Sequence, residues 1–333
     1  MNNLFFITSP LQLINATEAK EYFKTKNNIL VVIFTEYASK NRNQISNLID
    51  EAAWDKVIRF DLRNAHSKTT FFQQIKLVRM LSKHAYEYVF CGNLSSIGKM
   101  IIANVSKKKV FLLDDGAVTI NHYLSEIAQN ESKPYSFKKQ IRNLRFNIFG
   151  LNTTLKDTIN LFTSYHFKPR KDEHIVFNDL SYFKNTFLSH TIPDETVYLL
   201  GQPLAEIQLI SHATYIDYIQ KIIHFYQHKI IYIPHRAEIV LDDLKALQND
   251  NFTIQEINQP IELEFISLKK YPKQICSFYS SALFTLNILY PESFITAFEI
   301  ETDKMVFPRY EIKNVYDYIK SSTSIDTIQL HNL

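Results

Sequence analysis

Two neighbouring aspartates close an apolar run, Val110-Phe111-Leu112-Leu113-Asp114-Asp115-Gly116, and are the first residues whose placement suggests chemistry. A carboxylate held at a strand end can take a proton from an attacking hydroxyl, provided its orientation is fixed and its neighbour is not drawn into the same role. The other reading is a turn in which Asp caps a helix beginning near Ala117. A second run, Ile230-Ile231-Tyr232-Ile233-Pro234-His235-Arg236-Ala237-Glu238, ends in cationic groups. Imidazole and guanidinium donors there would stabilise the charge that grows on a departing phosphate. A solvated strand end with Arg236 paired to Glu238 is the alternative.

A third run, Ile275-Cys276-Ser277-Phe278-Tyr279-Ser280-Ser281-Ala282-Leu283, enters two hydroxyls that open an apolar helix. Free amides at a helix N-terminus, together with Ser hydroxyls, make an anion site without a glycine-rich loop. An ordinary serine cap is the alternative. In Pro260-Ile261-Glu262-Leu263-Glu264-Phe265 the acids begin a helix. They could hold two ribose hydroxyls, or simply complement the helix dipole.

Familiar alternatives lack their signatures. Neither G-x-x-x-x-G-K-[ST] nor G-x-G-x-x-G occurs, so P-loop and standard dinucleotide-binding readings lose their phosphate cradle. G-x-S-x-G and H-E-x-x-H are also missing from the sequence, which leaves hydrolase and zincin readings unsupported.

The elements that must position these residues alternate as βα units do. Strands are predicted at Leu4–Thr8, Ile29–Thr35, Lys56–Phe60, Tyr86–Cys91 and Lys109–Leu113. Helical patterns lie between them, at Leu11–Lys24, Asn43–Ala53, Phe71–His84 and Ile97–Val105. A second series places strands at Val197–Leu200, Lys229–Ile233, Thr253–Ile257, Gln274–Phe278 and Phe294–Phe298, with helices at Tyr215–Gln227, Asp242–Leu247 and Ile261–Leu268. Of only five glycines, Gly92, Gly116 and Gly201 each follow a predicted strand, where the chain must turn sharply or leave room for a ligand. In open α/β sheets the ligand crevice lies outside the carboxyl ends of the strands, so a site between the two halves is expected.

A chain of 333 residues suits two domains of roughly 150 residues each. Hydrophobic residues at 46% and charged ones at 21% argue for folding throughout. A net charge of +3 is too small to imply a nucleic-acid partner. Cys91 and Cys276 stand alone, so neither a disulfide framework nor a zinc site is expected and reduced cytoplasmic thiols are. The first residues lack a basic n-region, and no stretch reaches the roughly 18 to 20 apolar residues of a membrane span. The segment Lys133–Asn152 is basic and amphipathic, carrying Lys138, Lys139, Arg142 and Arg145 among Phe137, Ile141, Leu144, Phe146, Ile148 and Phe149. It reads either as an ordinary surface helix or as a peripheral attachment to an anionic membrane.

The order of the four motifs, Asp-Asp-Gly, then strand-end His, Pro-x-Glu and Ser-Ser, resembles that of bacterial sialyltransferases. Closest in character are the lipooligosaccharide enzymes of glycosyltransferase family 52, with family 80 showing a similar plan. Thr8-Ser9-Pro10-Leu11-Gln12 is similar to the family 52 opening, and Gly201-Gln202-Pro203 to its second-domain entry. Arg236 departs from the pattern, standing where the family has proline after histidine.

The resemblance implies a GT-B fold of two Rossmann-like domains facing a central cleft. Residues 1–165 would bind acceptor and residues 166–333 a CMP-sugar. It makes Asp115 the catalytic base supported by Asp114, and His235 a phosphate donor and general acid. Arg236, Ser280 and Ser281 would hold phosphate, and Glu262 the ribose, with Glu264 as fallback. The implied reaction is inverting transfer of sialic acid or a related nonulosonate from CMP to a terminal sugar, galactose being expected, of a surface glycan such as lipooligosaccharide. No cofactor or metal is expected, since no D-x-D adjoins Asp115. CMP-Kdo or a UDP-sugar as donor, or a non-catalytic glycan- or nucleotide-binding protein, are the alternatives. Expected partners are the CMP-sugar, the glycan and a second copy in a homodimer. The expected location is cytoplasmic, either free or peripheral at the inner face of the membrane.

Overall fold

Runs such as Leu-Phe-Phe-Ile and Leu-Val-Val-Ile-Phe are apolar on both strand faces, which suits strands covered on both sides by helices. The computed structural model describes residues 1–34, 39–62, 67–124, 137–169, 172–188, 191–306 and 309–333. In the first unit the strands are β1 (Asn2–Ile7), β2 (Asn28–Phe34), β3 (Lys56–Asp61), β4 (Ala85–Cys91), β5 (Ser106–Leu113), β6 (Ile159–Thr163) and β7 (Ile175–Phe177). They pair in the order β3-β2-β1-β4-β5-β6-β7, parallel throughout. In the second unit, β8 (Ile192–Leu200), β9 (Ile230–Ile233), β10 (Phe252–Ile254), β11 (Lys270–Ser277), β12 (Phe294–Glu299) and β13 (Asp326–Gln329) pair as β10-β9-β8-β11-β12-β13, again parallel. Both are the doubly wound Rossmann order, with the winding reversing beside β1 and beside β8.

Alternation along each strand builds the core of the first unit. Leu4, Phe6, Val31, Ile33, Val89 and Leu112 fill one face of the sheet, while Phe5, Ile7, Leu30, Val32, Phe90 and Leu113 fill the other. Serines start several of the covering helices. Ser9, Ser67, Ser95 and Ser211 accept the backbone N–H of Gln12, Thr70, Gly98 and Thr214, opening Pro10–Tyr22, Lys68–Leu81, Ser96–Asn104 and His212–Tyr226.

The chain divides at Tyr182/Phe183 rather than at 165/166. The reason is β7, which pairs with β6 and keeps the chain in the first sheet through Phe177. Strands β6, β7 and β13 escaped the sequence reading, being short runs that periodicity does not separate from other buried segments. The region expected to be one helix over Asn43–Ala53 is a helix, Ser39–Leu48, followed by a 3-10 turn, Glu51–Ala53, capped by Asp50. Thr35, expected to end β2, lies outside the described residues, as do residues 133–136 of the basic segment and the side chains of Phe137, Lys138, Lys139 and Arg142. Cys91 and Cys276 are buried and unbridged. Among the described residues, no helix is long and apolar enough to cross a membrane.

Candidate functional site

At the carboxyl end of β5 the two aspartates part company. Asp114 is 3% exposed. Its Oδ1 accepts from Thr163 Oγ1 at 2.6 Å and its Oδ2 from the Ser164 N–H at 2.7 Å. Its carbonyl accepts from Asn15 Nδ2 at 3.3 Å, and Asn15 Oδ1 accepts from Asn178 Nδ2 at 2.9 Å. Burial pushes this carboxyl up to about 6, against the opposing bonds from Ser164 and Thr163. Asp114, expected to support Asp115 at the substrate site, has both carboxylate oxygens engaged inside the unit and braces the turn.

Asp115 faces the other way and is partly exposed. Its N–H donates to Thr119 Oγ1 at 2.9 Å, and Ser9 Oγ lies 3.5 Å from its Oδ1 as donor. Gly116 follows with φ +69°, a backbone conformation that favours glycine and turns the chain away. The short helix Val118–His122 has Ala117 at its N-cap, so neither aspartate occupies the capping position. Around Asp115 the end of β1 supplies Thr8 and Ser9, and the loop after β4 supplies Asn93, whose Nδ2 donates to Thr8 Oγ1 at 2.9 Å. A partly exposed carboxylate, oriented by a hydroxyl and with further hydroxyl and amide groups on the adjoining loops, has the chemistry of a proton acceptor.

In the second unit His235 and Arg236 stand exposed just beyond β9. The Ala237 N–H donates to His235 Nδ1 at 3.1 Å, so the neutral ring carries its proton on Nε2, available to donate outward. Desolvation by the surrounding loop, then the adjacent Arg236 guanidinium, lower the imidazole below its ordinary value. Water at this exposed position limits the drop, but both causes act in one direction and the ring is neutral at pH 7. The alternative partner for Arg236, Glu238, accepts from the His235 N–H at 3.0 Å and from the Tyr232 hydroxyl. Tyr232 in turn lies 2.8 Å from the Tyr215 hydroxyl, which takes the Gln202 N–H at 3.1 Å. Burial raises Glu238 to about 7, opposed by its bonds from Tyr232 and His235. Gly201 is required here, because a Cβ would overlap the Tyr232 hydroxyl and Glu238 Oε2.

Ser280 and Ser281 are partly exposed at the start of the helix Ala282–Leu289. The helix does not offer a ring of free amides, which corrects the sequence expectation. Ser280 Oγ accepts the Ala282 N–H at 3.3 Å, and the Leu283 and Phe284 N–H groups bond to the Ser280 and Ser281 carbonyls. Ser281, at the cap position, makes no side-chain cap bond. What the turn presents to an anion is therefore hydroxyls at the positive end of a helix. Gln202 holds this turn in place, its Oε1 accepting from the Tyr279 N–H at 2.8 Å and from Ser277 Oγ at 3.4 Å.

Glu262 opens the helix Ile261–Ser267 but is only 7% exposed. Its Oε1 accepts from Thr285 Oγ1 at 2.6 Å, joining its helix to the one that the serines begin. Burial raises this carboxyl, while Thr285 and, more weakly, Arg236 oppose the rise, so Arg236 lies within electrostatic reach of Glu262. Glu264, the fallback, accepts from Gln259 Nε2 at 2.9 Å. In the second unit His235 and Arg236 thus follow β9, Ser280 and Ser281 follow β11 on the other side of β8, and Glu262 is tied through Thr285 to the helix that the serines begin. Sequence reasoning missed Ser9, Thr119, Thr163 and Ser164 as supports for the aspartates, and Tyr215, Tyr232 and Glu238 as the network under His235. Ser9 before Pro10 signalled a helix cap, and Gly201 after β8 a close approach, but neither revealed its partner.

The chain has two Rossmann units with polar groups at their strand ends, and solved structures show the same fold. Spinosyn rhamnosyltransferase, complexed with thymidine diphosphate, is 9% identical with a TM-score of 0.51 over 99% of this chain and 86% of its own. The UDP-GlcNAc 2-epimerase of Methanocaldococcus jannaschii, complexed with UDP-GlcNAc and UDP, is 12% identical with a TM-score of 0.51 over 99% of this chain and 89% of its own. The fold is GT-B, and because it serves both a transferase and an epimerase it does not choose the reaction. The family does: the chain belongs to the alpha-2,8-polysialyltransferase family, whose model matches residues 3–299. It is thereby a glycosyltransferase of a sialyltransferase family. No curated protein matches the chain.

Proposed function

We propose that the chain is an inverting transferase that moves sialic acid from CMP-sialic acid to a hydroxyl of a glycan terminus. The observation that carries this reading is the separation of the aspartate pair, which leaves Asp115 partly exposed and oriented by Ser9 while Asp114 is held inside. Asp115 takes the proton of the acceptor hydroxyl as its oxygen bonds to the anomeric carbon. The bond from that carbon to the CMP phosphate oxygen breaks on the opposite face, and its electron pair leaves with CMP. Ser280, Ser281, Arg236 and the His235 Nε2–H receive the growing phosphate charge, and Glu262 holds the ribose once binding displaces its bond to Thr285. The first unit takes the acceptor and the second the CMP-sugar, and no metal takes part.

The family description favours a terminal sialic acid as acceptor, joined through its 8-hydroxyl. A terminal galactose of lipooligosaccharide is the second acceptor class, supported by the motif order. The test is CMP release and product formation from CMP-sialic acid, CMP-Kdo and UDP-sugars, each offered sialylated and galactose-terminated oligosaccharides with EDTA present. Product from CMP-sialic acid with inverted anomeric configuration supports the reading. Transfer only from another donor, or CMP binding without transfer to any acceptor, would replace it with another GT-B enzyme or a binding protein.

A further inference from the structure

Two helices of the first unit pack into one surface that is both apolar and basic. Phe71, on the helix Lys68–Leu81, meets Phe146 of the helix Phe137–Ile148 with ring centroids 4.9 Å apart. Phe72 meets Phe149 at 6.0 Å, edge to face, and an Arg79 guanidinium N–H donates to the Phe149 carbonyl at 2.8 Å. With Phe146 turned inward, the opposite face of the second helix presents Ile141, Leu144 and Ile148, spaced three and four residues apart and 56%, 57% and 77% exposed. Phe72, 55% exposed, extends the apolar strip on the first helix. A strip this exposed on a soluble face calls for a partner.

Charge identifies the partner. No acidic residue occurs from 62 to 86 or from 132 to 156, although the chain has 34 in all. Lys76, Arg79 and Lys83 are exposed along the first helix and its end, and the second helix carries four basic positions, 138, 139, 142 and 145. Large apolar side chains over a cationic, acid-free ground match the boundary of an anionic bilayer. There Leu, Ile and Phe enter the acyl region while Lys and Arg stay among the headgroups. We infer that this two-helix face is a peripheral docking surface for anionic lipid membranes, formed jointly by Phe72, Ile141, Leu144 and Ile148 with the flanking lysines and arginines. It needs no turnover, so it stands or falls apart from the transferase reading.

The full chain is to be sedimented with vesicles of phosphatidylcholine alone and with vesicles that also contain phosphatidylglycerol. Binding to the anionic vesicles that weakens as salt rises is expected. The double variant Leu144→Ser/Ile148→Ser and the double variant Lys76→Gln/Lys83→Gln are each expected to lower partitioning by roughly tenfold or more. All four side chains are exposed, so thermal melting should be unchanged, and if the serine pair unfolds, Ile148→Ser alone serves. Wild type that ignores anionic vesicles, or variants that bind them as wild type does, overturns the inference. So does binding that survives loss of the apolar side chains and extends to heparin, which would mark a polyanion site. Dissociation of a dimer by the serine pair, with vesicle binding intact, would mark a subunit interface instead.

Discussion

Ser9 Oγ stands 3.5 Å from Asp115 Oδ1, joining the first turn of one helix to a strand end 106 residues away in sequence. The same hydroxyl accepts the Gln12 N–H at 3.3 Å, so the cap of Pro10–Tyr22 and the orientation of the carboxylate share one atom. In the proposed reaction, a carboxylate held in this way keeps a lone pair aimed at the acceptor hydroxyl. Asp115→Asn should lower transfer by roughly 100-fold or more with little change in CMP affinity. Ser9→Ala should lower kcat by about tenfold, again without weakening CMP. Steady-state kinetics with calorimetric CMP titration separates the two effects, and unaltered turnover of the asparagine variant would remove Asp115 as base.

The serine turn makes the converse prediction. Ser280→Ala with Ser281→Ala removes two hydroxyls from the proposed phosphate site, each worth about 1 kcal/mol as a hydrogen bond or more to a charged group. CMP affinity should drop by tenfold or more while acceptor KM stays near its starting value. Equal CMP titrations for the variant and wild type would place the phosphate elsewhere.

Gly201 tests the network beneath His235. Gly201→Ala drives a methyl group toward the Tyr232 hydroxyl and Glu238 Oε2, and such overpacking costs about 1 to 3 kcal/mol. The displaced Glu238 releases the His235 N–H, so the variant should melt earlier and bind CMP more weakly. A variant with lowered melting temperature and intact CMP affinity would confine this network to stability.

Asp114 supplies a pH signature. Its carboxyl rises from 3.8 to about 6 on folding, so between those values the folded state holds the proton more tightly than the unfolded one. Stability from this group is therefore present at low pH and lost as pH climbs through about 6. Asp114→Asn keeps an acceptor for the Ser164 N–H and cannot titrate. The difference in melting temperature, variant minus wild type, should rise between pH 4 and 7. A difference that is flat across that range would contradict a buried, titrating Asp114.

Much of the fold could be read along the chain because strands buried on both faces are apolar throughout and the helices between them open on serines. Ten strands overlap those expected, β9 and β10 among them despite their three or four residues, while the similarly short β6, β7 and β13 lay in stretches whose periodicity did not set them apart. The boundary moved from 165 to 182 for the same reason, β7 being invisible until it pairs with β6. In the second unit, the strand-end positions of His235, Ser280 and Ser281 followed from the apolar runs before them. The network that fixes them did not, because Gln202 meets Tyr279 and Ser277 across 77 and 75 residues.

By itself, then, the amino-acid order determined the alternation of strand and helix, the doubly wound class and the set of polar groups delivered to strand ends. All of these depend on local pattern and on the direction a strand points. Tertiary structure alone decided which of two adjacent aspartates is exposed. Successive side chains leave a strand end in different directions. Thr163 and Ser164, brought alongside by β6, engage Asp114, while Ser9 at the end of β1 meets Asp115.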